Sequence, residues 1–422
     1  MTAIRLMIQK ISQEQIFMLS VLVVNGGNYL YNLLLGRLLG PEAFSEAALL
    51  ITLLLVLSFL GMTFQLAVAK FSVLFTGGQL ERFRGNMYKQ SALAGLLIGF
   101  LIIVFSKNLQ LLFNAQSHWM FVVFGLGVPV YFFMSVNRGT FQGKQEFGKL
   151  SLTYQTEMWS RLLLTMALLY FVDTLPGMVV SLGILLSFLF GLFPTEVKGL
   201  SLAPKERLHP DNSKKVSRFL LLTACYELTQ IIINNSDILM VKHYFNAFDA
   251  GLYASLALIG RVVYFVAWMF VMLLLPAVVQ KHRDGEPTAP VLFKYVTYIA
   301  LLSLAIVLAC YLFPELIISL MFGKSYLAMS GLLWQYALAT SLFAVSNIFA
   351  YYFLSLDHYV PVIISGVLGL SQIVLVAVFH DDLATVVHMQ IIAMTLLLAV
   401  QVFYFLIKER DKSLTGGAIP PP

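Results

Sequence analysis

The stretch TEVKGLSLAPKERLHPDNSKKVS (Thr195–Ser217) is the one place in this 422-residue chain where charge, Pro, Asn and Ser crowd together. Six long apolar stretches precede it, near 16–36, 47–69, 88–105, 119–136, 150–172 and 175–193. Six follow, near 219–241, 250–279, 291–313, 330–354, 360–379 and 385–407. Most reach the ~20 residues a helix needs to cross the hydrocarbon core, whereas transmembrane strands would be about half as long. The expected fold is an all-α polytopic membrane protein of about twelve transmembrane helices, in two pseudo-symmetric six-helix bundles around a central cavity. Residues 1–194 form the first bundle, 195–217 a cytoplasmic linker and 218–412 the second bundle; the Gly- and Pro-rich end, 413–422, reads as a disordered tail.

Charge sorts with the loops. Of the 27 Lys and Arg residues, only Arg37, Lys107, Lys242 and Lys324 fall on one side, and Arg161 and Arg261 lie within spans. The others, among them Arg138 and the basic residues of the linker, occupy alternate loops and the termini. Positive charge is retained on the cytoplasmic side during insertion, so both termini and the linker are expected there. No cleavable signal peptide is evident; the first span, preceded by Arg5 and Lys10, reads as an uncleaved insertion signal. A hydrophobic content of 59% with 11% charge lies outside the soluble range. The net charge of +6 fits loops facing anionic lipid and gives no reason to expect nucleic acid. Cys225 and Cys310 are too few for a disulfide framework, and the histidines show no metal-ligand spacing.

The halves resemble each other at an offset near 206 residues. LGPEAFSEA (Leu39–Ala47) lies opposite FNAFDAGLY (Phe245–Tyr253), each after the first span of its half, and Asn28 meets Asn234 in the same register. Six helices per half is an even number, so both halves insert with the same orientation. Transporters built from such parallel repeats bind substrate between the halves.

Polar residues inside the spans point to the same place. Thr223, Glu227, Gln230, Asn234 and Asp237 share one face of the seventh span, because intervals of four, three, four and three return to the same side at about 100° per residue. Each acid would cost roughly 2.5–3.5 kcal/mol at the bilayer centre, so the stripe cannot face lipid. Asn25, Asn28 and Asn32 make a similar stripe on the first span. Asn25, Asn28, Asn32, Glu227, Gln230, Asn234, Asp237, Arg261 and Tyr264 are therefore the candidate substrate-binding residues. Arg261 lacks an acid at helical spacing, which favours a role in the cavity. Glu157 and Arg161, one turn apart, are secondary charges that an i,i+4 pair would also explain.

No phosphate-binding loop of the Gly-rich, Lys-Ser/Thr type occurs, and the best enzymatic candidate, Asp381-Asp382, is equally a solvated turn. The expectation is a non-enzyme with no catalytic residue, metal or cofactor.

At the fourth-to-fifth span junction the chain reads Asn137-Arg138-Gly139-Thr140-Phe141-Gln142-Gly143, with Phe147 four residues on. This resembles the Arg-Gly-x-x-Gln-Gly-x-x-x-Phe pattern of the bacterial polysaccharide exporters, of the multidrug/oligosaccharidyl-lipid/polysaccharide exporter superfamily. Gly36–Phe44 is similar to that family's first loop. Ser45 departs from the family's usual Gly, which Gly251 preserves in the second half. The resemblance implies a flippase that moves an undecaprenyl-diphosphate-linked oligosaccharide across the bacterial plasma membrane by alternating access, for cell-surface polysaccharide assembly. Its implied partners are that lipid-linked glycan, membrane lipid and other polysaccharide assembly proteins. A cation-coupled drug or metabolite exporter of the same superfamily, holding H⁺ or Na⁺ on Glu227 and Asp237, is the main rival. A membrane glycan polymerase or ligase is the second, and a non-transporting scaffold a third.

Overall fold

A computed structural model describes residues 13–195 and 209–414, apart from 357 and 359. The regular structure among the described residues is all helical, with no strand. The tail from Thr415 and residues 196–208 of the linker lie outside the described residues. The chain divides into two compact units, Met1–Ile231 and Ile232–Pro422.

The first unit opens with α1 (Gln13–Leu74), which contains the first two expected spans in one 62-residue run. The run breaks at Gly40, whose φ of 73° and ψ of 172° are not helical, and Pro41 follows. Glycine accepts the positive φ without a Cβ clash, and proline has no N–H to continue the ladder. Next come α2 (Gly77–Val104), the short α3 (Ser106–Leu112), α4 (Trp119–Gly143), α5 (Phe147–Phe171) and α6 (Pro176–Gly191). α7 (Pro210–Tyr244) crosses the boundary between the units. Its first turns are held by the first unit: Val216, Phe219 and Leu220 join a cluster with Phe71, Phe75, Phe83 and Met87. The Lys70 ammonium sits 4.2 Å from the Phe219 ring centroid.

The second unit continues with α8 (Ala247–Arg283), α9 (Ala289–Leu312) and the short α10 (Pro314–Met321). A 3₁₀ segment (Lys324–Leu332), α11 (Leu333–Ser355), α12 (Val360–Val378) and α13 (Leu383–Leu414) complete it. In each unit one helix is the hub: α4 packs on α1, α2 and α6, and α11 packs on α8, α9 and α13. The order of packing thus recurs between the units.

Among the described residues, six helices are long and apolar enough to cross a membrane: α1, α2, α4, α9, the 3₁₀ segment with α11, and α13. α6 and residues 363–378 of α12 are shorter apolar helices. α5 has the length, at 25 residues, but carries Glu157 and Arg161. Leu301, Leu304, Leu308 and Leu312 of α9 are exposed at intervals of three and four, giving a lipid-facing stripe. This is a multi-pass membrane protein.

Gly139 shows why the hub accepts little change. A Cβ there would lie 2.5 Å from the Gln65 carbonyl oxygen and 2.8 Å from Val68 Cβ, so α4 and α1 touch backbone to backbone. Gly139→Ala should force the helices apart and cost about 1–3 kcal/mol, read as a lower unfolding midpoint in detergent.

Candidate functional site

Among the described residues, a buried charged network stands out in each unit. In the first, α4 supplies Arg138, α5 supplies Glu157 and Arg161, and α1 supplies Asn28. Arg138 Nη2 donates to Glu157 Oε2 at 2.7 Å and to the Thr153 carbonyl at 3.0 Å, while its Nε donates to Thr153 Oγ1 at 3.0 Å. Its guanidinium carbon lies 4.0 Å from the Tyr154 ring centroid. Arg161 Nη1 donates to Glu157 Oε1 at 3.0 Å, and its Nη2 to Asn28 Oδ1 at 2.5 Å. Arg138, Glu157 and Arg161 are 2%, 7% and 6% exposed, so water screens none of them strongly. Two guanidiniums share one carboxylate, which leaves the network one net positive charge.

This corrects two sequence expectations. Arg138 is not in a loop; it lies inside α4, held by Thr153 and covered by Tyr154. Glu157 and Arg161 are not an isolated pair that explains itself, since Arg138 takes the second carboxylate oxygen. The motif residues beside Arg138 also have partners: Gln142 Oε1 accepts from Gln65 Nε2 at 2.9 Å, and Gln65 Nε2 also reaches the Tyr154 hydroxyl at 3.0 Å.

In the second unit Asp237 of α7 is the centre. Its Oδ2 accepts from the Tyr336 hydroxyl at 2.7 Å and from the Tyr253 hydroxyl at 3.2 Å. Gln390 Nε2 donates in turn to the Tyr253 oxygen at 2.6 Å. Asp237 Oδ1 forms no hydrogen bond among the described residues and faces Arg261 Nη2 at 3.5 Å. Arg261 Nη1 also donates to Asn235 Oδ1 at 3.4 Å. The acid missing from Arg261's own helix is therefore supplied by α7. Gly260 makes room for the arrangement: a Cβ there would meet the Tyr336 ring at 2.3 Å.

The Asn stripe of α1 divides by environment. Asn25 is exposed, while Asn28 and Asn32 are half-buried, and Asn32 Nδ2 donates to the Asn28 carbonyl at 2.9 Å. The side chains of Glu227, Gln230, Asn234 and Tyr264 lie outside the described residues. Asp382 caps α13, accepting from the Thr385 amide at 2.6 Å, and this bond holds its carboxyl below the usual range. A helix cap accounts for the polar turn without chemistry. Sequence reading missed Tyr253, Tyr336 and Gln390. It also missed Glu46, which is 2% exposed and accepts from the Gln116 amide at 2.5 Å. None of these four stands in a polar stripe of its own.

Residues 34–331 match the polysaccharide biosynthesis protein family. The chain belongs to that family. No curated protein sequence matches this chain. Its fold is that of the multidrug/oligosaccharidyl-lipid/polysaccharide exporter superfamily. An inward-facing multidrug resistance MATE family transporter superposes with a TM-score of 0.74 at 13% identity, covering 91% of this chain and 95% of its own. The lipid II flippase MurJ in an inward closed conformation gives 0.73 at 14% identity, covering 94% and 87%. A superfamily transporter from Pyrococcus furiosus gives 0.58 at 14% identity, covering 94% and 95%. At these identities the likeness establishes the family's fold and leaves the cargo open.

Proposed function

We propose that this family member is a flippase that carries an undecaprenyl-diphosphate-linked oligosaccharide across the bacterial plasma membrane by alternating access, for surface polysaccharide assembly. Family membership over residues 34–331 carries the reading. The physics agrees with it. Sugar hydroxyls and phosphates cannot cross hydrocarbon unaided, so a carrier must offer polar groups inside the membrane. The buried networks around Glu157 and Asp237 are such groups, and Asn and Tyr suit hydroxyls that both donate and accept. Of the two acids the cation-coupled exporter would use, Glu227 and Asp237, the second already accepts from two tyrosines and faces Arg261, which favours the flippase at that position.

In cells that depend on this protein for surface polysaccharide, its removal should leave lipid-linked glycan accumulating on the inner leaflet. Unchanged surface polysaccharide with no accumulation would refute the reading. We also place both termini and the linker in the cytoplasm. A reporter fused at Asn212 should be active only as a cytoplasmic enzyme; periplasmic activity would invert the orientation.

A further inference from the structure

α10 is too short to span a bilayer. Its eight residues, PELIISLM (Pro314–Met321), make about 12 Å of helix against the ~30 Å of a hydrocarbon core. Its sides nonetheless differ. Ile318 is buried against the protein, as is Phe322 one turn on, just past the helix. Leu316 and Leu320, one turn apart on the other side, are 63% and 69% exposed. Glu315 and Ser319 share a third flank, and Glu315 is exposed. Two observations say what covers the exposed leucines. They continue the lipid-facing stripe of α9 through Leu308, Leu312 and Phe313, all exposed. Where α9 ends, the Tyr311 ring meets Trp334 of α11 edge-on, with 5.8 Å between centroids, and Tyr and Trp gather at headgroup level. A short helix with an apolar side and a polar flank at that level lies in the plane of the interface.

The next segment connects α10 to the Asp237 network. The 3₁₀ run Lys324–Leu332 is nine residues long, where about three or four is usual. Rising about 2.0 Å per residue against the 1.5 Å of an α-helix, it reaches roughly 4–5 Å farther than the same residues would in α form. Tyr326 and Met329 pin it to the core: both are buried, Phe322 packs on Tyr326 at 5.2 Å between centroids, and Ser255 Oγ of α8 donates to Met329 Sδ at 3.1 Å. α11 begins at Leu333, and Tyr336, which donates to Asp237, stands in its first turn. We propose that α10 is seated in a membrane leaflet at the boundary of headgroups and acyl chains, and that the 3₁₀ segment ties this seat to the ends of α8 and α11 that carry Tyr253 and Tyr336. The leaflet is the one opposite the linker, the outer one in the orientation proposed above. Phospholipid acyl chains cover Leu316 and Leu320, and the extended segment bridges the membrane plane and the packed core. Lipid thereby restrains the two helices that hold Asp237.

The test uses the full chain in phosphatidylcholine vesicles, with the exposed Cys225 replaced by Ser and one fluorescent thiol label at Leu304→Cys, Glu315→Cys or Leu320→Cys. Lipids carrying a nitroxide near the headgroup or deep in the chain, and iodide in the water, serve as quenchers. At Leu304, two turns inside the end of α9, the deep nitroxide should quench several-fold better than the shallow one. At Leu320 that order should reverse, with iodide weak, while the Glu315 label should answer mainly to iodide. A Leu320 label as deep as that of Leu304, or one quenched by iodide alone, would overturn the seat. The tie is read at Met329→Cys, whose reaction with a small hydrophilic thiol reagent should be slow. Adding Leu316→Ser/Leu320→Ser should release the seat and speed that reaction at least tenfold; an unchanged rate would overturn the tie. Should Met329→Cys yield too little protein, Leu332→Cys, half-buried at the end of the same segment, gives the same reading with a smaller expected rise.

Discussion

Glu157→Ala should remove most folded protein from the membrane. The carboxylate holds Arg138 through one oxygen and Arg161 through the other, at 2.7 and 3.0 Å. Without it two guanidiniums remain within a helical interior, less than a tenth exposed, with only neutral partners. Removing one partner of a buried pair costs about 3–5 kcal/mol, and here two cations lose theirs at once. A fluorescent fusion followed by size-exclusion profile should show the monodisperse peak fall at least tenfold. Glu157→Ala/Arg138→Gln removes one of the stranded charges and should recover part of that peak. Arg161→Gln leaves the Arg138–Glu157 pair intact and should be far milder than either. Equal abundance for wild type and Glu157→Ala would show that the carboxylate does not hold the network together.

The second large effect belongs to Asp237. Arg261→Ala leaves a carboxylate, 3% exposed, with two tyrosine hydroxyls and no guanidinium. Asp237→Asn replaces the carboxylate facing Arg261 with a neutral amide. Each single change should deplete folded protein, by roughly the 3–5 kcal/mol of a broken buried pair at most. Arg261 is 17% exposed at its side chain and the separation is 3.5 Å, so the lower end is expected. The double variant Arg261→Ala/Asp237→Asn should restore abundance, and with it glycan export, if the pair is structural. Restored abundance without export would return Arg261 to direct contact with cargo.

Much of the architecture was legible because membranes impose length and polarity together. The apolar spans and the break at Gly40-Pro41 follow from local composition, whereas Pro210–Ser217, expected as linker, begin the helix α7. The polar stripe of the seventh span did identify Asp237 as a residue that must be satisfied. Its partners were not legible, because they arrive through packing: Tyr336 is 99 residues away in sequence. Arg138 misled for a related reason. It stands 19 residues from Glu157, beyond a turn, and a basic residue near a span end looks like a loop charge until the neighbouring helix is in place. The Arg-Gly-x-x-Gln-Gly motif likewise showed membership of a family before it showed a function for its parts. Arg138 binds Glu157, Gly139 admits α1, and Gln142 bonds Gln65.

Reconstitution tests the flippase reading most directly. Vesicles carrying a fluorescent undecaprenyl-diphosphate oligosaccharide in both leaflets would be exposed to a membrane-impermeant reagent that destroys the accessible label. In empty vesicles about half the label should persist, because the inner leaflet is shielded. With this protein present, the protected fraction should fall well below half as cargo exchanges between leaflets, and Glu157→Ala vesicles should behave as empty ones. Protection that stays at the empty-vesicle level with correctly folded wild-type protein, under either an imposed proton or sodium gradient, would contradict the account.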